Sequence, residues 1–269
     1  MQVHPSSPES ESRELVILAP FATEVPAAFD RKAVDRDTHE KLLANVQRLR
    51  GQIYSADGAI TQSQLSPDGR HIQPADEKGW HLLVVDGGSA VLGALRYVPH
   101  PQDVKFEDLG VAHSALAKSD GDRLRMAVES EISLARDREI GYAEFGGWVL
   151  GPELRVSLAA LQIILAGFAL AEHLGSCLVI STATKRHGSA SILQRIGGRP
   201  LEWDGKELEP YFDPQHQCQM EILRFDTALP NSKFRPRVES LMEEIPKVRV
   251  ICAAETAAEK TATRRGIAA

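Results

Sequence analysis

The chain has 269 residues, of which 43% are hydrophobic and 25% charged, and its formal net charge is -6. This is ordinary globular composition, long enough for one large domain or two small ones. The acidic balance excludes a general attraction to nucleic acid or to an anionic membrane surface.

The three cysteines, Cys177, Cys218 and Cys252, are far apart. With no CxxC pair and no Cys/His cluster at zinc spacing, neither a disulfide framework nor a metal site is expected. The first residues, MQVHPSSPESESRE, are polar and acidic where a signal peptide is basic and then apolar, so a cytoplasmic protein is expected. Residues 1–13 are rich in Ser, Glu and Pro and read as disordered.

A short strand is expected from Leu15 to Leu18, then a helix from Asp37 to Ser55. In that helix Leu42, Leu43, Val46, Leu49 and Ile53 recur at three- and four-residue spacings, Thr38 is the candidate cap, and Asp57-Gly58 stops it. Residues from Ile60 to Asp76 are polar and read as a loop with a turn at Pro67-Asp68-Gly69. The strands His81 to Val85 and Ala90 to Val98 flank Asp86-Gly87-Gly88, a hairpin signal, and Pro99 and Pro101 end the second strand. A helix follows from Asp120 to Glu139, with Leu124, Ala127, Val128, Ile132 and Ala135 on one face.

Tyr142 to Leu150 is a third strand, stopped by Gly151-Pro152. The apolar stretch from Val156 to Leu174 approaches the roughly 20 residues of a membrane span. Gln162, Glu172 and His173 interrupt it and no basic flank follows, so it reads as a central helix packed on a sheet, without stable membrane insertion. Then come a buried strand from Cys177 to Ala183, a short helix from His187 to Ile196, and strands at Arg199 to Trp203 and Gln219 to Phe225. A helix is expected around Val238 to Glu244, and the chain from Thr256 onward reads as a solvated tail. The fold class is α/β (α+β), a mixed central sheet with helices on both faces. Tyr142 to Ala183 forms a crossover between parallel strands. A single domain is expected over residues 14–228, with 229–269 as an extension that is partly helical and then disordered.

This order of elements resembles the GNAT superfamily of acyl-CoA N-acyltransferases. In that family a strand lines the donor's pantetheine arm, and the next turn and helix start hold its pyrophosphate. The family turn is Arg or Gln, two residues, Gly, one residue, then Gly or Ala, often after Pro-Glu. Here Pro152, Glu153, Arg155 and Ala160 match, while Leu158 stands in place of the middle glycine. The resemblance implies that the backbone of Trp148, Val149 and Leu150 and the turn residues Arg155, Val156, Ser157, Leu158, Ala159 and Ala160 bind an acyl-CoA. With the glycine missing, an acyl-carrier-protein thioester making fewer phosphate contacts is the other donor. In the family's later Tyr-to-Gly-Phe motif, Leu193 stands where the tyrosine acid is usual and Gly198 where the phenylalanine is usual. A thiol with a pKa near about 8.5 leaves without a dedicated acid.

The segment from Val46 to Tyr54 is similar to the Arg- and Tyr-bearing first helix of the N-acyl amino acid synthases and acyl-homoserine-lactone synthases. Gly93-Ala94-Leu95-Arg96 is similar to their Gly-x-x-Arg strand. That branch implies an amino acid or other small amine as acceptor, with Arg48, Tyr54, Arg96, His187 and Tyr211 as candidate substrate-binding residues. Tyr211, with Asp213 and His216, lies in a loop that is a candidate acceptor pocket.

Aminolysis of a thioester needs a neutral amine and therefore a base. Glu144, an acid inside an apolar strand, is the candidate; an ion pair with Arg96 is the alternative role. No cysteine or serine stands in a nucleophile setting, so direct attack in a ternary complex is expected. The competing readings are a non-catalytic acyl-thioester-binding module and a short-chain protein acetyltransferase.

Overall fold

The computed structural model describes residues 13–21, 23–155 and 158–254. The expectations of disorder at the two ends of the chain lie outside these residues, apart from Arg13. A mixed sheet forms the centre. Its strands are β1 (Glu14–Leu18), β2 (Lys32–Val34), β3 (Trp80–Val85), β4 (Val91–His100), β5 (Gly141–Leu150), β6 (Cys177–Thr184), β7 (Arg199–Pro200), β10 (Tyr211–Asp213), β11 (Cys218–Asp226) and β12 (Arg249–Cys252). The order across the sheet is β10-β11-β6-β5-β4-β3-β1-β12-β2, and β7 also pairs with β11. The pairs β1 with β12, β12 with β2, and β5 with β6 are parallel, and the others are antiparallel.

Six helices accompany the sheet among the described residues: α1 (Arg36–Ala56), α2 (Ala115–Ser119), α3 (Gly121–Asp137), α4 (Leu158–His173), α5 (Ser189–Arg195) and α6 (Arg235–Glu244). Period-two alternation divides the strands between the two faces. Leu95 and Tyr97 on β4, Ala143 and Phe145 on β5, and Val179 on β6 join α4 and α6 in the main core. Ala94 and Val149 point the other way, under Leu42, Leu43, Val46 and Ile53 of α1. Tyr142, Leu178 and Ile180 lie under Leu124, Ala127, Val128 and Ile132 of α3. The second face therefore carries two helices over separate cores, with the middle of β5 between them. The apolar stretch at α4 is buried on the sheet, and among the described residues no helix is long and apolar enough to cross a membrane.

Four details depart from the sequence reading. Asp35, not Thr38, caps α1: its carboxylate accepts from the Thr38 amide at 3.0 Å. Pro99 does not end β4, which runs on to His100 paired with β5. The β3 ladder begins at Trp80 opposite Tyr97, so beyond that row one side of β4 is an edge, where a proline is tolerated. Arg199 to Trp203 is not one strand. Arg199–Pro200 joins β11, while β8 (Glu202–Trp203) and β9 (Lys206–Glu207) make a separate hairpin around Asp204 and Gly205, both at positive φ. Finally, the extension set apart from residue 229 contributes β12 to the sheet, between β1 and β2, and α6 to the main core through Val238 and Leu241.

Candidate active site

β5 and β6 pair from Gly141 with Cys177 to Phe145 with Ser181. Beyond that row β5 continues to Leu150 and β6 to Thr184 without pairing to each other. The cause is on the opposite side of β5. Arg96 of β4 pairs with Gly146 and Ala94 with Val149, so β5 carries one extra residue, a β-bulge, while β6 stays aligned with β11 out to Thr184 and Met220. Gly147 within the bulge has φ 60. The two parallel strands thus open into a wedge, one wall of which is the backbone of Trp148, Val149 and Leu150. A Cβ at Gly147 would be strained at that φ and would lie 3.3 Å from Nη1 of Arg50. Gly147→Ala is expected to cost about 1 kcal/mol or more, measured by urea unfolding.

Beside the bulge lies a buried ionic cluster. Arg50 and Asp76 are 0% and 2% exposed, and Arg96 is 9% exposed. Arg50 donates to both Asp76 oxygens at 3.0 and 2.6 Å and to the His71 carbonyl, and Arg96 donates to Asp76 at 2.5 Å and to Gln73 at 2.8 Å. Gln47 and the Gln73 amide complete the Asp76 shell. Burial alone would raise the Asp76 carboxyl, but the hydrogen bonds and charges of Arg50 and Arg96 outweigh it and hold the group well below the usual carboxylate range. Burial, reinforced by the two arginines, lowers His71 and His81 to about 4. Two guanidinium groups therefore share one carboxylate beside two neutral imidazoles at pH 7. The surplus positive charge lies against β5: Nη2 of Arg96 is 3.3 Å from where a Gly146 Cβ would stand.

The histidines give the fold a pH dependence. Unfolded, each titrates near about 6.5; folded, each titrates near 4. The unfolded chain binds more protons in that interval, so this stabilisation is complete above about pH 6.5 and is lost as pH falls toward 4. Unfolding free energy measured between those limits should decline toward the acid side, and His81→Gln should flatten the decline.

Glu144 lies on the second sheet face, in the strip between α1 and α3. It does not pair with Arg96, which Asp76 holds. Its Oε2 is 3.0 Å from Nε2 of His100 and accepts from the Gly110 amide at 3.2 Å. Its side chain keeps 20% exposure. Tyr54, at the end of α1, reaches over the bulge and donates to the Trp148 carbonyl at 3.5 Å, and burial raises its hydroxyl pKa. Trp148 packs on the main core, and its buried indole N–H has no hydrogen-bond partner among the described residues.

The turn after β5 brings Arg155 to the end of α1, with Nη2 3.7 Å from Asp57 Oδ2. Leu158, at the start of α4, is 78% exposed. Ala160, two residues on, is half-buried. Val156 and Ser157 lie outside the described residues, as do the side chains of Ala159 and His187. The His187 backbone belongs to the turn Arg186–Gly188 after β6. Arg186 in that turn donates to the Asp57 carbonyl and, at 2.5 Å, to the Gln217 carbonyl, tying the end of α1 to the turn before β11.

Two expected substrate-binding residues stand away from the wedge. Arg48 lies on the outer face of α1, paired with Asp68 at 3.0 Å. Tyr211 is buried in the core under α3, where burial pushes its hydroxyl up to about 12. Asp213 and His216 pair with each other at 3.1 Å. The residues that reading passed over are Arg50 and Asp76. Arg50 was detectable, because it stands four after Val46 and three before Ile53, on the buried stripe of α1. Among the described residues no group of three or more His, Cys, Asp or Glu could hold a metal ion.

No family model matches this sequence, and no curated protein matches it. The fold does have solved counterparts. The CoA-dependent acyl-homoserine lactone synthase BjaI, solved with SAM and isopentyl-CoA, superposes over 94% of this chain and 100% of its own, at a TM-score of 0.54 and 15% identity. The chain has the fold of an acyl-homoserine lactone synthase. The same synthase solved with MTA superposes at a TM-score of 0.53. TofI, in a ternary complex with an inhibitor and MTA, superposes over 85% of this chain and 99% of its own, at a TM-score of 0.51 and 11% identity.

Proposed function

We propose that the protein is an N-acyltransferase that moves an acyl group from a thioester donor, an acyl-CoA or an acyl-carrier protein, to the amine of an amino acid or similar small acceptor. The observation that carries this reading is the wedge between β5 and β6, opened by the Gly147 bulge with Glu144 three residues before it. The pantetheine arm enters the wedge and bonds the backbone of Trp148 to Leu150 that β6 leaves unpaired. Arg155 meets the donor's phosphate. The fold shared with a synthase solved with isopentyl-CoA and SAM supports both substrate classes.

The acceptor's carboxylate is drawn to the surplus charge at Arg96 and Arg50, beside Tyr54. Arg48 and Tyr211 take no part. Glu144 removes one proton from the ammonium group, directly or through a water, leaving a nucleophilic amine. The nitrogen attacks the thioester carbonyl, the C–S bond breaks, and the thiolate departs and takes up a proton as the amide nitrogen loses its second one. The exposed Leu158, where a glycine would let phosphate approach closely, favours a carrier-protein donor over free CoA.

The test is thiol release from acetyl-, octanoyl- and palmitoyl-CoA, and from the matching acyl-carrier proteins, on addition of free amino acids and SAM, with mass spectrometry of the product. Donor binding without amine-dependent thiol release would make the chain a binding module instead.

A further inference from the structure

We infer that His100 and Gly110 form a clamp that fixes the Glu144 carboxylate in its working orientation, with Oε2 held and Oε1 left bare. This inference rests on the proposed role of Glu144 as the base, and it adds two residues that the reading above does not use. Both donors converge on the same oxygen. His100 Nε2 lies 3.0 Å and the Gly110 amide 3.2 Å from Oε2, and among the described residues no donor reaches Oε1. Oε2 already accepts from the Gly110 N–H, and the His100 ring meets the same oxygen as a second donor, through Nε2–H.

Both donors are themselves fixed. Val98 pairs with Glu144 and His100 with Tyr142, so His100 is the diagonal neighbour of Glu144 on the same sheet face. Its side chain is 11% exposed. Gly110 begins a 3-10 turn in the loop between β4 and α2, and the residues on either side of it, Leu109 and Val111, are 0% and 2% exposed in the core under α3. The Gly110 amide is therefore pinned from both sides.

The glycine has a second purpose. A Cβ at position 110 would stand 3.2 Å from Oε1 and 3.9 Å from Oε2, so a side chain there would cover the bare oxygen. Its φ is not positive, so backbone strain does not demand glycine; keeping Oε1 open does. The other charged or titratable groups nearby are already engaged or neutral. Tyr142, on β5, is a buried phenol raised well above its ordinary range by burial, Glu131 on α3 is paired with Arg224 on β11 at 2.9 Å, and Arg96 is bound to Asp76. His100 is thus a positioning residue, the only side chain among the described residues that bonds Glu144.

The test uses the full chain as wild type, His100→Ala, His100→Gln and Gly110→Ala, with the donor and amine pair that gives the most thiol release. His100→Ala should lower kcat on the order of 10²-fold with both KM values little changed, and His100→Gln, whose amide N–H takes the place of Nε2–H, should restore most of it. Gly110→Ala should lower kcat in the same way. The Gly110 amide proton resonance should shift in His100→Ala and Glu144→Gln and stay in His100→Gln. Unchanged kcat in His100→Ala, an equal loss in His100→Gln, or an unmoved Gly110 resonance in His100→Ala would overturn the clamp. If the wild type transfers no acyl group to any amine, acyl transfer is the reading that fails, and the Gly110 resonance still decides the clamp.

Discussion

Asp76→Asn should destabilise the domain by about 3–5 kcal/mol, because it leaves two buried guanidinium groups without their counter-charge. For a domain of this size each kcal/mol shifts Tm by about 2–4 °C, so a fall on the order of 10 °C is expected in a thermal melt. The reasoning depends on burial. Arg50 has no exposed surface, and the side chain of Arg96 retains 11%. An amide at position 76 can still accept hydrogen bonds, but it carries no charge to offset either arginine. Arg96→Ala should cost less, since the bidentate Arg50–Asp76 pair survives. If Asp76→Asn melts within a degree or two of wild type, the cluster is not a closed ionic unit.

Glu144→Gln should lower turnover about 10²–10⁴-fold, the usual contribution of a positioned base, while donor binding measured by calorimetry stays near wild type. Glutamine keeps the shape and can still accept from His100 and Gly110, so the fold should be unaffected. The loss should be least at high pH, where the acceptor amine is already neutral. Turnover equal to wild type at every pH would remove Glu144 from the mechanism and leave it as a partner of His100.

Periodicity made much of this fold legible. The α1 stripe, the β3–β4 hairpin, the α3 face and the β5–α4–β6 unit all follow from local patterns of apolar spacing and turn residues. What escaped is non-local. Asp76 sits in a polar stretch read as loop, and nothing near it announces Arg50, 26 positions away in the chain. Arg48 and Arg50 are neighbours in the same basic run, and only their phase on the helix separates a surface pair from a buried one. Gly146 and Gly147 lie inside the predicted strand with no turn signal beside them, and only the positive φ of Gly147 shows that the strand bends there. Pairing Glu144 with Arg96 was reasonable from sequence, since both lie on adjacent strands. Register sets Val98 opposite Glu144 and leaves Arg96 and His100 as its two diagonal neighbours; the buried Asp76, which holds Arg96, decides for His100.

The place of β12 has a consequence for how the molecule is made. Val16, Ile17 and Leu18 pair with Arg249, Val250 and Ile251, so one of the first strands of the chain waits for one of the last. On a ribosome, the β1–β3 ladder can form once the hairpin has emerged, but its far edge stays open until residue 252 clears the exit tunnel. Contacts of such long sequence separation fold slowly and leave an unpaired edge exposed in the meantime. Nascent chains arrested shortly before Arg249 should therefore be the stage at which this protein most needs a chaperone.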